Sequence, residues 1–221
     1  MRVVIVAAAL WAIAFSFLAI DRHDAFESNA FDLGYVTQTL WSTVHGEPFV
    51  FTTVDGVPFS PEGTLDVSHL RKPHSLLAFH VEPVLLLVAP LFAIWPDPRL
   101  LLILQAAALG AGAIGAAALA RRRVQHPIAP IAFGLAYLLS PSIAAPALSD
   151  FHVVSLAPLL IFVALYLIAV ERPWLGFAAA LLATATREDT AILIASLGAY
   201  LFVRQVLAER GLTPSPPLHW K

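Results

Sequence analysis

The sequence predicts an all-α, polytopic transmembrane bundle of about six spans, with one half-inserted outer helix and a large first extracytoplasmic loop. Three observations carry that prediction. Of 221 residues, 59% are hydrophobic and only 13% charged, with a mean hydropathy of +0.79; a soluble domain holds about 45–50% apolar and about 25% charged residues. The apolar residues fall in runs, and the first of these, residues 3–20, is long enough to cross the hydrocarbon core as a helix. The charges sort by side once the runs are threaded through a membrane.

The net charge of −2 offers no footprint for nucleic acid, and the absence of Cys removes disulfide scaffolds, thiolate metal sites and thiol nucleophiles. The run at 3–20 follows Arg2 and precedes Asp21-Arg22-His23-Asp24. Its meagre basic leader and lack of a small-x-small site before Asp21 favour a retained anchor over a cleaved signal. Residues 21–75 form the first outer loop, where eight acids face three bases before Pro73 and Gly and Pro punctuate the stretch from Gly46 to Pro61. Within it, Phe31, Leu33, Tyr35, Val36, Leu40 and Trp41 predict a short amphipathic helix over 29–44.

Further apolar runs occupy residues 84–95, 100–120, 128–139, 153–170, 174–186 and 190–203. If all crossed, Arg121-Arg122-Arg123 would share a side with the acidic loop, against the positive-inside rule. The run at 84–95 is short, follows Pro83, contains Pro90 and stops at Pro96, so segment 76–95 is read as interfacial. Six crossings then put both termini in the cytoplasm of an inner-membrane protein. The cytoplasmic side gathers Arg2, the Arg triplet, Arg172, Arg204, Arg210 and Lys221, with only Glu171 and Glu209 among the acids. Residues 1–206 form a single transmembrane domain, and 207–221 a polar cytoplasmic tail. Pro141 and Pro146 are expected to break the helix and leave irregular chain before Asp150.

Four constellations fall on the outer side. Asp32 is either a reactive carboxylate or a helix cap. His80 and Glu82, entering the half-inserted helix, either line a substrate path or anchor the segment at the headgroups. Asp150 and His152 suit a general base, a metal ligand or a cap. Arg187-Glu188-Asp189 interrupts two apolar runs, so it either faces a cavity or forms a short surface loop, and Arg187 matches phosphate oxygens. His69, His74, His80, Glu82, Asp150 and His152 are N and O donors on one side, so a divalent cation is possible, although no close ligand motif is present. The glycines from Gly110 to Gly115 read as helix packing.

Asn29-Ala-Phe-Asp-Leu-Gly-Tyr-Val-Thr-Gln-Thr-Leu-Trp41, His45-Gly46, Pro48-Phe49, His80-Val-Glu-Pro83, Gln105, Asp150-Phe-His152 and Arg187-Glu-Asp189 together resemble a family of uncharacterised prokaryotic multipass membrane proteins. That family is in turn similar to the GT-C glycosyltransferases, among them protein O-mannosyltransferases and the aminoarabinose transferase. The resemblance implies sugar transfer from a polyprenyl-phosphate donor on the extracytoplasmic face. Asp32 stands where the functional acid of the first outer loop would be, His80 and Pro83 match an embedded His-Pro motif loosely, and Asp150 would be a second acid. Asp32 and Asp150 are thus the catalytic candidates. His80, Glu82, His152, Arg187, Glu188 and Asp189 are the substrate-binding ones, with a lipid-linked sugar and membrane lipids as partners. Arg187 stands where Lys is usual in the family. Relatives are longer, so the resemblance also implies a shortened chain. A transporter, a lipid-handling protein and a non-catalytic membrane module are the competing classes.

Overall fold

The computed structural model describes residues 1–28, 30–52 and 74–212. Among these residues, three helices are long and apolar enough to cross a membrane: α1 (Arg2–Asp24), α4 (Pro98–Arg123) and α9 (Glu188–Glu209). At 1.5 Å per residue they run about 35, 39 and 33 Å, each more than the ~30 Å hydrocarbon thickness. A fourth candidate is the pair α5 (Ala129–Leu138) and α6 (Pro141–Leu148), bent by 42°. The remaining apolar helices are shorter: α3 (Leu85–Ile94), α7 (Ala157–Ala169, extended backward by a 3-10 turn, Val153–Leu156) and α8 (Pro173–Thr184). The described residues therefore form an α-helical membrane protein with three to four helices of spanning length.

α4 is the central post, and α1, α5 and α7 pack around it. Its small residues set the spacing. A Cβ on Gly110 would lie 3.0 Å from the Ala8 carbonyl oxygen and 3.2 Å from the Ala12 Cβ, so the α1 backbone comes close only because no side chain intervenes. One core joins Val4 and Ala8 of α1 to Ala113 and Ala117 of α4 and Leu138 of α5. The outward faces of α1 and α9 carry exposed Leu10, Phe17, Ile192 and Phe202. Such surfaces on helices of this length are suited to lipid.

The loop helix appears where the apolar spacing predicts it. A π-turn (Ala30–Gly34) leads into α2 (Tyr35–Val44), which packs on α3, and its Val36 and Leu40 belong to one core cluster with Leu85, Val88 and Phe92 of α3 and Leu101 of α4. α3 is about 15 Å long, half of what a span needs. Leu85, Val88, Ala89 and Phe92 face the core while Leu86, Leu87, Leu91 and Ile94 are exposed. A two-residue antiparallel ladder, β1 (Val50–Phe51) with β2 (His74–Ser75), joins the two ends of the chain segment that lies outside the described residues.

Two expectations change. Pro141 does not leave irregular chain; it starts α6, because the first helical position needs no N–H and Pro already has the helical φ. Pro146 sits inside α6 and forfeits one backbone bond, and the helix ends two residues later. Neither Asp32 nor Asp150 is the N-cap residue of the helix that follows it. Gly34 and His152 occupy the caps of α2 and of the 3-10 turn without side-chain bonds, and the Ser149 hydroxyl donates to the Pro146 carbonyl at 2.8 Å. Helices α1, α2, α7 and α9 end in the same double-bonded turn with a left-handed residue, namely Phe26 (φ 60°), Gly46, Glu171 (φ 60°) and Gly211.

Candidate functional site

Four chain segments meet beside the start of α4. Gln105 organises the first contact. It is fully buried in α4, donates from Nε2 to the Pro146 carbonyl at 2.7 Å, and accepts the His152 backbone N–H at 2.9 Å. A lone amide in an apolar run cannot be left unpaired, and here it fixes the turn from α6 to His152. The Asp150 carbonyl lies at 3.3 Å from the same amide and accepts the His152 Nδ1–H at 2.7 Å. With Nδ1 donating, Nε2 is the open nitrogen of the neutral ring. It faces the Asp32 carboxylate at 3.8 Å, so the π-turn before α2 and the α6–α7 turn share one carboxylate–imidazole pair.

The second contact joins the segment before α3 to the start of α9. The Val84 N–H donates to the Ala185 carbonyl at 3.0 Å. The Glu188 carboxylate accepts His80 Nδ1–H at 3.1 Å with one oxygen and the Val81 N–H at 3.0 Å with the other. Arg187 pairs with Asp189 through Nε and Nη2. Arg187-Glu188-Asp189 is thus occupied by protein partners: two carboxylates hold a cation and a neighbouring loop.

Glu82 lies between these contacts. It is 3% exposed, and its Oε2 has no hydrogen-bond partner among the described residues. Burial pushes its carboxyl up to about 7; nearby Glu188 adds to the rise while His80 and Arg187 oppose it. The Tyr35 phenol is raised by burial, then by Glu82 and Asp32, with Arg187 pulling the other way. Tyr35, Asp32, Glu82 and Arg187 therefore share one electrostatic neighbourhood, which connects the two contacts.

All eight predicted site residues fall on these four segments. Asp150 is half-buried, and its backbone carbonyl meets Gln105 and His152. His69, Arg71 and Lys72 lie outside the described residues. Among the described residues, no three His, Asp or Glu side chains stand close enough to hold a metal ion; Asp32 with His152 and His80 with Glu188 are pairs. Tyr35 and Gln105 were not singled out as site residues. The signal for Gln105 was its isolation within the apolar run 100–120, whereas Tyr35 has none beyond its place beside Asp32.

A groove of about 700 Å³ abuts the other side of the π-turn, lined by Leu33, Gly34, Trp41 and Phe92, with His23 and Arg99 at its polar edge. Arg99 donates to Asp24 at 2.7 Å and to Asp97 at 3.1 Å, fastening α1 to the start of α4.

Spanning helices around one post, with a partly buried ionisable cluster at one end, define a multipass helical membrane protein with a polar site at one end of its bundle. A model of the family described as "Predicted membrane protein (DUF2079)" matches residues 22–215, and the chain belongs to that family. No curated protein and no solved structure matches it.

Proposed function

We propose that the protein is a GT-C-like glycosyltransferase that moves a sugar from a polyprenyl-phosphate donor on the extracytoplasmic face of the plasma membrane. The observation that carries this reading is the Asp32–His152 pair at 3.8 Å, set in one neighbourhood with Arg187. The reading also takes six crossings, with α3 half-inserted and both termini cytoplasmic, because that threading separates most acids from most bases.

In this mechanism Asp32 accepts the proton of an acceptor hydroxyl as its oxygen attacks the anomeric carbon. The bond from that carbon to the phosphate oxygen breaks, and its electron pair leaves on the phosphate. Asp189 holds Arg187 through Nε and Nη2, and Nη1, without a hydrogen bond among the described residues, meets the departing anion. His152 Nε2 lies next to Asp32 and receives the proton from it as an imidazolium. Asp150 is the second candidate base, reaching the same place through the turn that Gln105 holds. The apolar groove against the π-turn suits the donor's lipid chain. The test is transfer of labelled sugar from a polyprenyl phosphate in proteoliposomes. Asp32→Asn should lose about 10²–10⁴-fold in rate, and full activity of both Asp32→Asn and Asp150→Asn would end the proposal.

Glu82 favours a second reading, ion-coupled transport. A buried carboxyl that changes charge near neutral pH beside Arg187 suits proton-linked movement. Substrate crossing the bilayer without a covalent product would support transport, whereas a glycosylated acceptor supports transfer.

A further inference from the structure

The basic end of α4 lies about 24 Å from Gln105 along the helix axis, well away from the site above. Arg121, Arg122 and Arg123 form its last turn and all are exposed. Among the described residues none of the three has an ion pair or side-chain hydrogen bond. Successive side chains fan out about 100° apart around the helix, so Arg123 faces a different hollow from Arg121 and Arg122, and the negative end of the helix dipole favours cations in this turn.

Hollows open around this turn. The largest, about 690 Å³, runs along α4 from Ala116 to Arg123 and is walled by Phe133 and Tyr137 of α5 and Phe162 of α7. Two smaller ones, about 550 and 470 Å³, open beside Arg121, one toward Arg122 and Tyr166 and the other toward His126. A cationic surface and an apolar channel therefore share Arg123 as their common rim.

We propose that this end of the bundle binds an anionic phospholipid, with its phosphate on Arg123 and an acyl chain along the groove from Ala116 to Arg123, while Arg121 and Arg122, on the neighbouring hollows, add to the attraction for its charge. The charge complementarity is direct: guanidinium forks match phosphate oxygens, and basic pockets between membrane helices take acidic headgroups. The groove covers about 10 Å of helix axis, within the ~15 Å depth of one leaflet's hydrocarbon. Its floor is small because Ala116 and Ala120 leave room for a chain. Free phosphate would meet the arginines but leave the groove empty, so the occupant is a lipid.

The experiment is native mass spectrometry of the full chain in detergent, titrated with phosphatidylglycerol, phosphatidylcholine and inorganic phosphate. Wild type should retain long-chain phosphatidylglycerol over phosphatidylcholine, and phosphate should not displace it. With about fivefold per arginine, the combined Arg121→Gln, Arg122→Gln and Arg123→Gln variant should lose roughly a hundredfold of that preference. Ala136→Trp, at an exposed groove position, should weaken long-chain but not short-chain phosphatidylglycerol. Equal retention of the two lipids by wild type, displacement by phosphate, an unchanged preference in the triple variant, or no effect of Ala136→Trp would each overturn the proposal. The wild-type titration decides on its own if a variant fails to fold.

Discussion

Replacing Glu82 by Gln keeps the shape of a fully enclosed side chain while removing its ability to ionise. The native carboxyl sits at about 7 against an ordinary 4.5 because burial penalises its charge. Between those two values the folded protein still holds the Glu82 proton while the unfolded chain has released it, so stability falls as pH rises across this window. The contribution is complete below about 4.5 and lost above about 7. At 1.36 kcal/mol per pH unit, the gap corresponds to about 3 kcal/mol, worth several degrees in Tm for a chain of this size. Glu82→Gln, neutral throughout, should therefore match wild type near pH 4.5 and exceed it by about 3 kcal/mol at pH 8. Thermal unfolding in detergent, followed by tryptophan fluorescence over this pH range, measures the difference between the two proteins and cancels groups common to both. A gap that is the same at pH 4.5 and pH 8, or a variant less stable than wild type at pH 8, would refute the assignment of Glu82 as a buried carboxyl.

Other outcomes follow from the same contacts. Gln105→Leu takes the partner from the His152 N–H, while the Pro146 carbonyl keeps the Ser149 hydroxyl; a buried group left unpaired costs about 1–3 kcal/mol, visible as a lower Tm in the same assay. Gly134→Leu would drive its side chain into Val4, which already lies 2.7 Å from the site of a Cβ, and should cost about 1–3 kcal/mol by overpacking. Glu171→Gly should raise stability by about 1 kcal/mol, because the turn after α7 holds this residue at φ 60°, where a Cβ is penalised. Glu188→Ala should lose only about 1 kcal/mol, since its bonds to His80 and Val81 are exposed to solvent. It should nonetheless raise proteolysis between His80 and Pro83.

Hydrophobic run length made α1, α4 and the loop helix α2 legible in the sequence, since a long apolar run and a 3.6-residue spacing each correspond to one geometry. The bend after α5 was not. A proline closes one helix or opens the next with the same residue, and only the neighbouring packing decides which. The late runs 174–186 and 190–203 were read as crossings of similar, short length. In the structure α9 takes up Glu188 and Asp189 and runs to Glu209, whereas α8 stays at 12 residues. The acidic pair extends α9 because negative charge at a helix N-terminus is favoured by the dipole.

The candidate residues stood out one by one in the sequence, and their pairings did not. His80 and Glu188 are 108 positions apart, and no local rule says that Glu188 turns to His80 while Asp189 turns to Arg187. Those choices depend on tertiary contacts: the Val84–Ala185 bond aligns the segment before α3 with α9, and Gln105 draws His152 toward Asp32. The buried state of Glu82 is also tertiary, since its electrostatic neighbours include Tyr35 of α2 and Arg187 and Glu188 at the start of α9.

The central claim is that the π-turn before α2 and the α6–α7 turn meet at one site, and the Cys-free chain allows this to be measured directly. Asp32→Cys and His152→Cys, introduced together, would be the only thiols present. In native membranes, a short bis-thiol linker should join them in good yield, detected after cleavage of the chain between the two positions, whereas a control pair with Arg204→Cys in place of His152→Cys should remain unlinked. Failure of the first pair to cross-link, with both thiols accessible to a monofunctional reagent, would contradict the assembled site.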